Sequence, residues 1–210
     1  MKKRIRNHLQ HGEFNEITAL AASKKRVLAM LVSLTFDADP LIAWRAVDAL
    51  GRAAGRVADS DPEFVRSHLR RLHWFMSDES GAICWFAPQA MAAVVRARPE
   101  LFSDYADIVF SLILTTEEED LAHFRSGILW AIGTLAPIAP GKIDTVIPVV
   151  AACLDMDDSQ VRGTAVWCLK QAGRTDFLAG RDDLGCDEGP VEFYSNQRIE
   201  RTTVAALVVS

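Results

Sequence analysis

Apolar and small residues recur along the chain in a frame that repeats four times. The copies read Ile42, Ala46, Ala49, Leu50 and Gly51; Ile83, Ala87, Ala90, Met91 and Ala92; Phe124, Ile128, Ala131, Ile132 and Gly133; and Val161, Ala165, Cys168, Leu169 and Lys170. Successive copies begin 41, 41 and 37 residues apart. Spacings of four, seven and eight positions place side chains on one face of an α-helix. A period near ~40 residues is typical of repeats built from two helices.

A second apolar helix is predicted in front of each framed helix. These helices cover about 26–35, 63–76, 105–115 and 143–154, and a short acidic turn joins each one to its framed helix. Stop signals follow the framed helices at Gly55, Pro99, 137–141 and Gly173. The sequence therefore predicts four consecutive helical hairpins over 24–175.

The framed helices carry a recognisable signature. Segment 158–162 reads Asp-Ser-Gln-Val-Arg and is followed by Ala165 and Cys168-Leu169, which resembles the D-x-x-V-R-x-x-A-x-x-A-L-G pattern of HEAT repeats. The third copy resembles it too, whereas Ala43 and Cys84 replace the arginine in copies one and two. The resemblance implies an all-α fold, an α-α superhelix of about four HEAT-like hairpins. The whole chain is also similar to an uncharacterised group of single-domain bacterial HEAT-repeat proteins.

Both ends of the repeat region are expected to act as caps within one domain spanning 1–210, because a solenoid must cover its terminal apolar faces. Residues 3–22 predict one or two short helices, broken at His11-Gly12. Within the tail, 176–210, a loop is followed by a β-hairpin made of 191–194 and 198–201. Thr202 or Thr203 is then placed to cap a last apolar turn, 204–209.

One tryptophan per copy is predicted to face away from the helix core. Because a helix turns about 100° per residue, the positions one and five after the arginine position lie opposite the core positions. These positions hold Trp44 and Asp48, Trp85 and Gln89, Ser126 and Trp130, and Gly163 and Trp167. The fifth tryptophan is Trp74. In HEAT-type solenoids the second helices line the concave surface, so the resemblance places this ladder of tryptophans there.

Two occupants of the ladder remain open. In the first, a partner protein or peptide binds the concave surface, since tryptophan is enriched at interaction hot spots. Its site would comprise Trp44, Arg45, Asp48, Trp85, Phe86, Gln89, Trp130 and Trp167. In the second, the chain covers the ladder itself, either by folding the C-terminal hairpin with Phe193 and Tyr194 back onto it or by packing the second helices together.

Pro88 also allows two interpretations. In the middle of a helix it would free the carbonyl of Cys84 and kink the helix beside Trp85. Alternatively the helix begins late, with Pro88 in its first turn. The second interpretation is favoured.

Charge is arranged along the predicted hairpins. The turns inside the repeats are acidic, and the far ends of the second helices are basic: Arg52 and Arg56, Arg96 and Arg98, and Lys170 and Arg174. This pattern is expected from helix-end electrostatics alone. The alternative is that the edges steer a charged partner.

Composition narrows the function classes. A net charge of −5 argues against a general nucleic-acid binder. No apolar run reaches the ~18 residues of a membrane span, and no apolar segment follows the basic start, so a cytoplasmic location is expected. The four cysteines have no metal-ligand spacing. No phosphate loop, HExxH motif or nucleophile elbow is present, so no catalytic residue, metal or cofactor is predicted.

The pattern favours a non-enzymatic interaction or scaffold module that binds an unidentified protein or peptide. One alternative is a cofactor-linked lyase or assembly factor resembling the HEAT-like phycobilin lyases, with a tetrapyrrole or other aromatic cofactor stacked on the tryptophans. Less favoured is a resemblance to the HEAT-like alkylpurine DNA glycosylases, in which Trp44, Asp48, Trp85 and Trp130 would hold a damaged base. That family needs a basic groove, which this chain does not suggest.

Overall fold

A computed structural model describes residues 1–76, 86–115 and 124–209. Over these residues the chain is mostly helical and ends in a two-stranded antiparallel sheet. The helices are α1 (Lys2–His11), α2 (Phe14–Ser23), α3 (Val27–Leu34), α4 (Pro40–Ala58), α5 (Pro62–Trp74), α6 (Ala87–Ala97), α7 (Pro99–Phe102), α8 (Ala106–Thr115), α9 (Arg125–Leu135), α10 (Pro140–Ile143), α11 (Ile147–Ala152), α12 (Ser159–Gln171), α13 (Asp182–Gly185) and α14 (Val204–Val209), and the strands are β1 (Pro190–Ser195) and β2 (Arg198–Thr203). In these ranges no helix combines the length and the hydropathy needed to cross a bilayer.

The chain forms two compact units, Met1–Ala106 and Asp107–Ser210. In the first unit α4 is central and packs against α2, α3, α5 and α6. Its buried face is rich in alanine, with Ala46, Ala49 and Leu50 nearly inaccessible. Small side chains allow neighbouring helices to approach closely, which gives the first unit a dense core.

The helices of the first unit begin and end at the signals that the sequence carries. Asp39 accepts a hydrogen bond from the Leu41 amide at 3.0 Å and caps α4. Asp61 accepts one from the Phe64 amide at 3.1 Å and caps α5. Gly12 ends α1 with a φ of 72°, a left-handed conformation that suits glycine. Helix α6 begins at Ala87 with Pro88 in its first turn, so the late-start interpretation is confirmed and no kink forms at Pro88.

Gly51 marks the closest approach between α4 and α6. A Cβ atom at this position would lie 2.7 Å from the carbonyl oxygen of Ala93. The glycine at the end of the first copy of the frame therefore faces α6, the helix that carries the second copy.

In the second unit α12 packs against α9, α11 and α14 and against β1. Asp158 caps α12 by accepting a hydrogen bond from the Gln160 amide at 2.8 Å. The single helix expected over 143–154 is wrong. Helix α10 ends at Ile143, α11 begins at Ile147 with Pro148 in its first turn, and a 3₁₀ turn follows at Cys153–Asp155. Because proline has no amide hydrogen and clashes with the preceding turn, the helix restarts there.

The C-terminal hairpin is confirmed. Strands β1 and β2 pair antiparallel, with Phe193 opposite Glu200 and Ser195 opposite Arg198. Asn196 and Gln197 form the two-residue turn with φ values of 45° and 66°, as a type I′ turn requires. Thr203 accepts a hydrogen bond from the Ala206 amide at 3.2 Å, so of the two candidate caps for α14 it is Thr203 that acts.

Candidate functional site

The first unit has a face along α4 and α6 that combines exposed, partly buried and buried side chains, and we call it the α4–α6 face. It consists of Trp44, Asp48, Gly51 and Arg52 of α4 together with Phe86, Gln89, Ala93 and Arg96 at and along α6. Trp44 and Phe86 meet edge to face, with ring centroids 5.0 Å apart and planes at 82°. Both rings are only partly buried. The pair therefore combines fixed aromatic geometry with surface left open to a ligand.

A cavity of about 260 Å³ lies on the same face, lined by Asp48, Gly51, Arg52, Ala93, Arg96 and Ala97. Its floor is apolar and its rim is charged. The Arg52 Nε donates to Asp48 Oδ1 at 3.1 Å, and the guanidinium carbon lies 4.9 Å from the centre of the Phe14 ring. These two contacts hold the Arg52 side chain along the face.

Gln89 lies between the aromatic pair and the cavity on the α6 side, one helical turn from each. Only 3% of the residue is exposed. Its Oε1 accepts no hydrogen bond from any residue that the structure describes. A buried amide oxygen that accepts no hydrogen bond lowers the stability of the folded state.

Arg45, another predicted site residue of the first unit, is placed differently. Arg45 Nη1 donates to the carbonyl oxygens of Leu9 and Gln10, both at 2.8 Å. It thus caps the carboxyl end of α1 and its guanidinium is not part of the α4–α6 face. Trp85 lies outside the described residues.

In the second unit Trp130 and Trp167 are brought together. Their rings stack with centroids 6.1 Å apart and planes at 12°. Gly133 makes this possible, because a Cβ atom there would collide with the Trp167 ring and would lie 3.1 Å from the Cα of Cys168. Trp130 is 9% exposed. Tryptophans from two successive copies therefore contact each other.

The tail is the occupant of this stretch of the ladder. Phe193 of β1 contacts Trp167, with ring centroids 5.1 Å apart. Val191 and Leu207 fill the space left by Gly163. In the second unit, therefore, the chain's own tail covers Trp167, as in the alternative in which the hairpin folds back onto the tryptophans. Gly163 is therefore a sequence signal for this contact, because a side chain at this position would collide with Val191.

Polar contacts fix the tail to α12. The Gln160 side chain donates from Nε2 to the Glu192 carbonyl at 3.0 Å and accepts from the Glu192 amide at 2.8 Å. The Ser159 hydroxyl donates to the Pro190 carbonyl at 2.7 Å. Lys170 Nζ donates to the carbonyls of Leu207 and Val208, at 3.1 and 3.0 Å. Strand β1 is therefore held on α12 by the aromatic contact of Phe193, the two hydrogen bonds of the Gln160 amide and the hydrogen bond of the Ser159 hydroxyl.

The signature arginine of the fourth copy also serves the tail. Arg162 Nε donates to Asp187 Oδ2 at 2.7 Å, and its Nη1 donates to the carbonyls of Met156 and Asp157. The Arg162 hydrogen bond holds the pKa of the Asp187 carboxyl below its ordinary value. Both side chains are less than one-fifth exposed, so the pair links α12 firmly to the segment before β1.

The basic helix ends are mostly neutralised close by. Arg56 pairs with Asp59 at 2.8 Å, Arg98 pairs with Asp59 and Glu100, and Arg174 pairs with Asp144 and Asp176, both at 3.2 Å. Arg96 differs, since it is exposed and forms no ion pair with any residue in the described ranges. Local pairing favours the interpretation of these charges as helix-end electrostatics, with Arg96 as the exception.

Burial shifts the pKa values of two further titratable side chains. Burial raises the pKa of the Cys168 thiol far above its usual range, which keeps it protonated. Burial likewise lowers the pKa of His68. Within 1–76, 86–115 and 124–209, no three His, Cys, Asp or Glu side chains converge as metal ligands.

Comparison with known proteins adds a relative without a known role. The chain is 29% identical over 185 residues to an uncharacterized protein of Archaeoglobus fulgidus, an alignment that covers 85% of this chain and 92% of that protein. No family model and no solved structure matches the chain.

Proposed function

We propose that the chain is an α-solenoid of about four HEAT-like hairpins that works as a protein-interaction module. The repeating frame supports this, as does the packing of framed helices against one another within each unit, α4 on α6 and α12 on α9. Repeat stacks of this kind expose long faces of second helices, which suit extended partners.

The function we propose is binding of an extended peptide segment of a partner protein on the α4–α6 face. The observation that carries it is the chain's own tail in the second unit. There, β1 lies against a framed helix through Phe193 on Trp167 and through the Gln160 amide on the backbone of Glu192.

The α4–α6 face offers the same kinds of group. Trp44 and Phe86 supply a partly exposed aromatic pair, and Gln89, one helical turn further along α6, carries a buried amide oxygen with no donor in the described part of the chain. Aromatic anchors and amide–backbone hydrogen bonds are the usual means of holding an extended peptide. Since the tail already covers Trp167, the proposal assigns the partner to the first unit.

The test is selection of a random-peptide display library on the immobilised full-length chain, followed by affinity measurement of the enriched peptides by fluorescence polarisation. We expect Trp44→Ala and Phe86→Ala each to weaken binding by roughly thirtyfold, the cost of losing a hot-spot side chain.

Trp74→Ala is the matched control, because Trp74 is a tryptophan that is 51% exposed at the end of α5, away from the α4–α6 face. It should bind the same peptides with unchanged affinity. Circular dichroism of each variant checks that it is folded. If no peptide is enriched, or if Trp44→Ala binds as the unmodified chain does, the proposed function is wrong.

A further inference from the structure

We propose that the cavity at Asp48, Arg52 and Arg96 is a subsite for a carboxylate, so that the partner segment carries an acidic residue beside its apolar anchor. This inference rests on the proposed function and specifies the chemistry of its ligand. The site is built entirely from described residues of α4 and α6.

The charges around the cavity leave one positive charge uncompensated. Asp48 and Arg52 neutralise each other at 3.1 Å, whereas Arg96 has no ion-pair partner in the described ranges. A single carboxylate would balance the remaining charge. A phosphate dianion would exceed it and would also face the Asp48 carboxylate, so the geometry favours an acidic side chain over a phosphorylated one.

The arrangement of the cavity suits a carboxylate as well. Gly51, Ala93 and Ala97 line the cavity with small residues where the two helices meet, and its volume of about 260 Å³ gives room for a carboxylate over that contact. The stacking of Arg52 on Phe14 at 4.9 Å fixes the direction of one guanidinium in advance. Guanidinium groups bind carboxylates through paired, charge-assisted hydrogen bonds.

The distance to the aromatic pair sets the spacing in the ligand. Along α4, eight residues separate Trp44 from Arg52, which corresponds to about 12 Å of helix. An extended chain advances about 3.3 Å per residue. The acidic residue is therefore expected about three or four positions from the apolar residue that contacts Trp44 and Phe86.

The experiment uses the peptides enriched on the full-length chain and an Arg96→Gln variant. We expect enriched peptides to share an apolar residue and an Asp or Glu three or four positions away. Arg96→Gln should weaken their binding by about tenfold, the range for losing a hydrogen bond to a charged group. The affinity for the unmodified chain should fall as salt rises, and the variant should be less sensitive to salt.

Two further variants sharpen the result. Arg56→Gln removes the same charge from the same face of the molecule, but from a residue that already pairs with Asp59, and should leave affinity unchanged. Asp48→Asn should tighten binding of the acidic peptides, because it removes the one negative charge of the cavity. Replacement of the acidic residue by phosphoserine should weaken binding to the unmodified chain.

The outcomes separate the two proposals. Peptides that depend on Trp44 but lack an acidic residue, that bind Arg96→Gln equally well, or that prefer phosphoserine overturn the carboxylate subsite and leave the proposed function standing. Failure to enrich any peptide, or binding that ignores Trp44, overturns both.

Discussion

At the scale of single residues, the packing of second helices depends on glycines at the end of the repeat frame. Gly51 allows α4 to meet Ala93 of α6, and Gly133 allows the Trp167 ring to lie against α9. In both places a side chain would have to occupy space that a neighbour already fills. The frame thus provides for close contact between neighbouring framed helices as well as for helix formation.

Gly51→Ala should destabilise the first unit by about 1–3 kcal/mol, because the new methyl group would lie 2.7 Å from the Ala93 carbonyl oxygen. Gly55→Ala is the matched control. Its Cβ would lie 3.4 Å from the Ala97 methyl group, an ordinary contact, and alanine stabilises a helix by about 0.5–1 kcal/mol relative to glycine. Urea denaturation of both variants measures the difference, and equal free energies of unfolding would contradict this account of the α4–α6 contact.

A second residue-scale prediction concerns pH. The pKa of Asp187 is depressed in the folded state, so its ion pair with Arg162 stabilises the protein above the ordinary pKa of an aspartate, near ~3.9. That contribution is lost as pH falls through the lower folded-state pKa. Asp187→Asn should therefore lower Tm at neutral pH, and its difference from the unmodified chain should shrink as pH is lowered from about 6 to 3. A Tm difference that stays constant over this range would show that the pair does not act as described.

At the scale of elements, sequence periodicity was sufficient for most helices and for the hairpin. Helices α3, α5 and α8 form within two residues of their expected bounds. The asparagine at the β-turn and the threonine before α14 are local signals that need no partner. The apolar pattern over 143–154 is continuous and predicts one helix, whereas Pro148 sets the start of a separate helix, so α10 and α11 form.

What local signals do not determine is which surfaces meet. The pattern in α12 places Gly163 and Trp167 opposite the core positions of the helix. It does not distinguish a partner protein from the chain's own tail as the group that contacts them. The choice depends on Val191, Phe193 and Leu207, which are distant in sequence and carry no period that links them to α12. Likewise, the sequence could not reveal that Arg45 binds the end of α1 or that Arg96 alone among the basic ends of the first unit remains unpaired in the described ranges.

The hairpin's contact with Trp167 can be tested by removing one ring. Phe193→Ala should lower the stability of the second unit by about 3 kcal/mol and shift tryptophan emission to longer wavelength as water reaches Trp167. Glu200→Ala is the control, because Glu200 is directly opposite Phe193 in the hairpin and its side chain is exposed. Emission that is unchanged in Phe193→Ala would mean that the ring does not cover Trp167 in solution.

At the scale of the whole molecule, the two units use their second helices differently. In the second unit the chain's own strand occupies the aromatic stripe, through contacts made by Trp167 and Gln160. In the first unit an aromatic pair, a buried amide and a charged cavity follow one another along the α4–α6 face. We propose a partner segment for the α4–α6 face because it carries the same kinds of group, aromatic rings and a glutamine amide, that hold β1 on α12.

The most direct test is the response of the tryptophan indole N–H signals in a ¹H–¹⁵N NMR spectrum when a selected peptide is added to the full-length chain. Each of the five tryptophans contributes one indole N–H signal, and single substitutions assign them. The account predicts that the Trp44 signal shifts, with the signals of Trp74, Trp130 and Trp167 unchanged. Shifts at Trp130 and Trp167 without one at Trp44 would contradict it, because the peptide would then be displacing the tail from the second unit.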